Sequence, residues 1–205
     1  MSDSFLVAAR VPMSRTAFER WLDTPLPGRS AIANPDAMFD GWYWHGQSAP
    51  EDWDEAAEGR TVREWLSERV EDACTSSSAT ILRYRDEAVE AYLFDVGYYP
   101  AAVQAALLAF AATEPAREAL VLFWAETGGS LWKPDDEGWM AALEVAPTGA
   151  RFVGRGDLTP TVAGLRRVEA EFFAMIERVA EDEERWDPDS QVEFRTSVPL
   201  EYVDL

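Results

Sequence analysis

Histidine, cysteine and lysine are almost missing from these 205 residues: each occurs once, as His45, Cys74 and Lys133. A single cysteine excludes an internal disulfide and any cysteine-rich zinc site. A single histidine excludes a histidine-based zinc or iron centre unless carboxylates supply every other ligand. There is no run of about 18 uncharged apolar residues, the length that reads as a spanning helix. The start, Met1-Ser2-Asp3-Ser4-Phe5, has no basic stretch followed by an apolar one, which predicts no secretory signal. No membrane contact and a cytoplasmic location are the expectation. The other 17 basic residues are all arginine, and with the alanine-rich stretches this suggests a high-GC bacterial genome.

What the chain has in excess is negative charge. There are 38 Asp and Glu against 18 Lys and Arg, a formal net charge of −20. Residues 1 to 34 carry three acids and four bases, so the surplus belongs to the remainder. A field of this sign repels nucleic acid and anionic membrane and attracts cationic proteins. Nine Trp, ten Phe and six Tyr, within 47% hydrophobic residues, set the chain apart from a disordered acidic tail and predict a packed core.

The periodicities predict one domain over residues 1–205. Phe5, Val7, Ala9 and Val11 alternate with Leu6, Ala8 and Arg10, a strand ended by Pro12. Ser14 caps a short helix with Phe18, Trp21 and Leu22 on one face. Residues 23–59 form a long acidic, aromatic-rich loop, of which 42–45 is a candidate strand. Thr61 and Glu64 make a capping box opening a helix over 62–73. Residues 79–85 and 88–96 read as a hairpin around Asp86 and Glu87, its second strand interior to the sheet. Pro100 opens an alanine-rich helix reaching Thr113, and Ala119 to Ala125 is a central strand. Trp139 to Val145 and Arg151 to Val153 flank a turn at Pro147-Thr148-Gly149. Thr159 and Pro160 begin the longest helix, and Gln191 to Val198 reads as a last strand. The sum is an α+β fold: a mostly antiparallel sheet of about six or seven strands packed with about four helices.

No motif specifies a chemistry. No G-x-S-x-G or P-loop is present, Gly154-Arg155-Gly156 lacks the context of a dinucleotide loop, and Cys74 at a helix end sits where a thiol is deactivated. Arg155-Gly156-Asp157 matches an integrin ligand by letters only. Asp135, Asp136 and Glu137 lack calcium-loop spacing, so neither a metal nor another cofactor is expected. His45 could serve as a general base with a carboxylate partner, but a structural histidine in the Trp42-Tyr43-Trp44 cluster is the favoured reading.

Binding is the better-supported class. Residues 35–59 hold seven acids and no base, and the expected partner-contacting residues there are Asp40, Trp42, Trp44, Asp52, Trp53, Asp54 and Glu55. The turn Trp132, Asp135, Asp136, Glu137, Trp139 repeats the mixture. Indoles anchor an interface while carboxylates steer a basic partner. The expected function is an acidic, non-enzymatic inhibitor of a basic protein, with a bacterial toxin immunity protein as its best-fitting class. A nucleic-acid-mimicking adaptor and an enzyme using His45 are the alternatives; direct nucleic-acid binding is not expected.

Overall fold

The computed structural model describes residues 5–39, 53, 56, 57, 59–68, 80–93, 96, 100–125, 140–154 and 158–181. Six strands form one antiparallel sheet: β1 (Phe5–Pro12), β2 (Thr80–Arg85), β3 (Ala88–Leu93), β4 (Ala119–Ala125), β5 (Met140–Ala146) and β6 (Gly149–Val153). Their order is β2-β3-β1-β4-β5-β6. Among the described residues the longer helices are α1 (Arg15–Leu22), α2 (helical residues 62–68), α3 (Pro100–Ala111) and α4 (Thr159–Glu181); residues 53, 56 and 57 are also helical, and Arg29–Ala31 and Pro35–Phe39 are 3-10 turns. Up to β4 the chain runs β-α-β-β-α-β with the first and third strands central, the split βαβ order of ferredoxin-like folds. A long excursion carrying α2 is inserted after α1, and the β5–β6 hairpin extends the sheet beyond β4.

Alternation along the strands gives the sheet two faces. Phe5, Val7, Ala9 and Val11 of β1 point to the front, beside Val89, Ala91, Val121, Phe123, Leu143 and Phe152. Here α1, α2 and α3 bury Phe18, Trp21, Trp65, Leu66, Val103 and Leu107 in the same cluster. The alanines of α3 let it approach closely, and Val103 through Phe110 are buried on every side. Its carboxyl end is closed by one distant and one local contact: the Trp21 Nε1–H donates to the Ala109 carbonyl at 2.7 Å, and the Thr113 hydroxyl donates to that of Phe110 at 2.7 Å. Gln104 in this helix is fully buried, and among the described residues neither its Oε1 nor its Nε2 has a hydrogen-bond partner.

The back of the sheet is smaller and is covered by α4. Leu6, Ala8, Tyr92, Leu122, Trp124 and Ala142 pack there against Val162, Leu165 and Val168.

The local signals act as their chemistry requires. Ser14 Oγ accepts from the Ala17 N–H at 3.1 Å and starts α1. Thr61 N–H donates to Glu64 Oε2 at 2.8 Å and Glu64 N–H to Thr61 Oγ1 at 3.2 Å, the reciprocal bonds of the capping box. β3 lies between β2 and β1, and β4 between β1 and β5, as their apolar character predicts. The candidate strands at 42–45 and 191–198 lie outside the described residues.

Candidate functional site

The densest group of charges among the described residues lies on the back of the sheet, beside the apolar patch under α4. Arg83 of β2, Glu90 of β3 and Arg10 of β1 are directly opposite one another across three strands. Glu90, 1% exposed, accepts from Arg83 Nε at 2.8 Å, from Arg10 Nε at 3.3 Å and from Arg167 Nη2 of α4 at 2.8 Å. Glu171, one helical turn beyond Arg167, accepts from Arg83 Nη1 and, at 3.3 Å, from Arg85 Nη1. Arg166 and Glu169 form a further pair along α4 at 2.7 Å.

These contacts set the protonation states. Arg83 is nearly buried, which works against its charge, but its bonds to Glu171 and Glu90 more than offset this and raise its pKa. Arg167 is raised by the Glu90 charge and by its bond to that carboxylate. Glu171 is lowered, chiefly by the Arg83 hydrogen bond. Glu169 moves the other way, because burial outweighs its bond to Arg166. At the centre of the group Arg83, Glu90 and Arg167 stand in short ion pairs, a means of locating α4 on the sheet, while Arg85 at the margin is held by longer ones. The group contains no nucleophile or imidazole, and among the described residues no group of His, Cys, Asp and Glu could hold a metal ion.

At the tip of the β2–β3 hairpin, Asp86 and Glu87 have φ of 50° and 53°. Left-handed backbone at two non-glycine residues costs on the order of 1 kcal/mol each. Three contacts hold it: Arg167 Nη2 with Asp86 Oδ2 at 3.3 Å, Arg10 Nη2 donating to the Asp86 carbonyl at 3.3 Å, and Met13 N–H donating to the Glu87 carbonyl at 2.9 Å.

No protein-family model matches this chain, and no curated protein or solved structure matches it. The site must be judged on its own residues. Trp53, expected at a partner interface, is a core side chain: it is 1% exposed and its ring centroid lies 6.3 Å from that of Phe152. An indole sealed against the front of the sheet stabilises the fold and has no surface to offer a partner. Asp40, Trp42, Trp44, Asp52, Asp54 and Glu55 lie outside the described residues. So do Trp132, Asp135, Asp136, Glu137, Trp139 and His45.

The charge can nevertheless be divided along the chain. Residues 1–34 carry three acids and four bases, net +1, and residues 35–205 carry 35 acids and 14 bases, net −21. Eleven of the twelve arginines whose side chains are described stand in ion pairs, so the framework's charge is largely matched within itself. The sequence reading missed the group around Glu90. The available signal was an acid at 90 inside an otherwise apolar strand and an arginine at 10 ending another.

Among the described residues no helix is long and apolar enough to cross a membrane.

Proposed function

We propose that this chain is a protein-binding inhibitor that captures a basic partner through its acidic segments and occludes the partner's active site. The functional class that fits this best is a cytoplasmic bacterial toxin immunity protein. The observation that carries the reading is the uneven charge of the sequence: residues 1–34 carry three acids and four bases, whereas residues 35–205 carry 35 acids and 14 bases, and 35–59 hold seven acids and no base. Charge needed only for solubility has no reason to be absent from one part of the chain, whereas a steering surface requires one sign concentrated in some regions. Effectors that act on nucleic acids or nucleotides carry cationic clefts, to which such segments are complementary.

The test is co-expression with the product of the neighbouring gene. Growth should be rescued, and the purified pair should form a complex that weakens as salt rises, because screening shortens the reach of exposed charges to about 8 Å at physiological ionic strength. Reversing Asp52, Asp54 and Glu55 together with Asp135 and Asp136 should abolish both effects. Full rescue by that variant would remove the electrostatic basis of the proposal.

A further inference from the structure

We propose that the outer edge of β2 is a docking site for an extended segment of a partner protein in which apolar and acidic residues alternate. The inference goes beyond the charge argument and uses none of the acidic segments. A two-residue turn at Asp86-Glu87 makes Arg85 and Ala88 the closing, mutually bonded pair of the hairpin. Arg83 with Glu90 is then also a bonded pair, and Leu82 and Tyr84 turn their backbone N–H and C=O groups outward. Among the described residues nothing bonds these outward groups.

The other end of the sheet shows how this chain closes an edge. On β6 the outward residues are Ala150 and Phe152. Ala33 N–H donates to the Ala150 carbonyl at 2.9 Å, Asn34 Nδ2 donates to the Phe152 carbonyl at 3.0 Å, and the Phe152 N–H donates to Asn34 Oδ1 at 2.7 Å. Asn34 thus imitates a neighbouring strand, and β2 has no such seal among the described residues. An open edge is a template for strand addition.

Side chains along β2 set the chemistry of the occupant. Toward the front lie Leu82 and half-buried Tyr84, whose hydroxyl donates to the Met13 carbonyl at 3.0 Å, so the ring is fixed beside the edge. Toward the back lies Arg85, 41% exposed and loosely tied, with Glu171 at 3.3 Å and Asp86 at 3.8 Å. An added strand therefore meets the half-buried Tyr84 ring, with the Arg15 guanidinium 5.4 Å from its centroid, on one side and partly exposed Arg85, in two long ion pairs, on the other. The tip contacts at Asp86 and Glu87 hold this edge in place before binding, which lowers its ordering cost.

The experiment uses the full chain and two synthetic peptides, one alternating valine with glutamate and one alternating valine with lysine. The valine–glutamate peptide should bind and slow amide exchange at Leu82 and Tyr84 by about tenfold at a ligand concentration about ten times its Kd. Tyr84→Pro should abolish this, since proline offers no outward N–H while the ladder bonds to β3 remain. Arg85→Glu should switch the preference to the valine–lysine peptide, which keeps the test decisive if the proline variant does not fold. Equal binding of both peptides, unchanged exchange at saturation, or undiminished binding by a folded Tyr84→Pro protein would each overturn the proposal. So would edge amides that in the free chain exchange as slowly as those of β1, for the edge would then already be occupied. Failure here leaves the salt-sensitive capture of a cationic partner unaffected, so the two readings fall separately.

Discussion

On the front of the sheet, Phe123 meets Phe152 edge to face with ring centroids 6.0 Å apart, inside a cluster supplied by three helices. On the back, Glu90 accepts from three arginines beneath a single helix. Both surfaces come from the same strands in alternating order, yet their tolerances should differ. A dry face is stabilised by area and shape and loses stability in proportion to the volume removed. A buried ionic row contributes little net stability while intact, because desolvation offsets attraction, but breaking it leaves a charge buried without its partner. The front thus supplies the strength of the fold, and the back supplies the position of α4.

Substitutions can press on this contrast. The largest loss on the front is expected for Phe123→Ala, about 3–5 kcal/mol by urea unfolding, from the cavity left between β4 and β6. On the back, Glu90→Ala should cost a similar 3–5 kcal/mol, because Arg83 is left buried without its sheet partner. The double variant Arg83→Met/Glu90→Leu should recover most of that loss. If the double variant is as unstable as the single one, the row contributes more than position and the contrast between the faces fails.

Smaller in magnitude is Gln104→Leu, which removes from the wholly buried α3 two polar atoms that have no partner among the described residues. It should raise stability by about 1–3 kcal/mol, the penalty for burying an unsatisfied polar group. A fall in the unfolding midpoint would show that the amide is satisfied in solution.

The smallest effects are expected in the pH dependence of α4, where two glutamates act with opposite sign. Glu171 is held below its ordinary value of about 4.3, so its stabilisation is present above that pH and is lost as pH falls through the folded pKa. Glu169 is raised, so its contribution is complete below about pH 4.3 and is lost as pH rises through the folded pKa. Glu171→Gln should therefore flatten the acid limb of the stability profile. Glu169→Gln should gain stability relative to the parent between about pH 4.3 and neutrality. Thermal unfolding across that range checks both, and parallel shifts in the two variants would contradict the assignment.

Much of the framework was legible in the sequence because it rests on short-range rules. The alternation of residues 5–11, the serine cap at 14, the Thr61–Glu64 box, the proline at 100 and the turn at 147–149 each depend on neighbours a few positions away. Trp53 was misjudged for the opposite reason. An indole among acids reads as a contact surface, and only its apposition to Phe152, about a hundred positions later, makes it core. Arg10, Arg83 and Glu90 were passed over because charged residues in a strand suggest a solvated face, and nothing local announces that α4 covers it. Asn34 gave no signal either, since a lone asparagine in a loop becomes an edge seal only when β6 lies beside it.

By itself the sequence determined most of the described elements, the fold class and the sign and quantity of charge, since these follow from composition and from periods of two and 3.6 residues. Tertiary structure alone decided the order of the strands, which charges are buried together and which edge Asn34 seals. Those outcomes depend on residues distant in the chain meeting across a sheet, and the energies of such meetings, unlike those of a cap or a turn, are not written in any local stretch of residues.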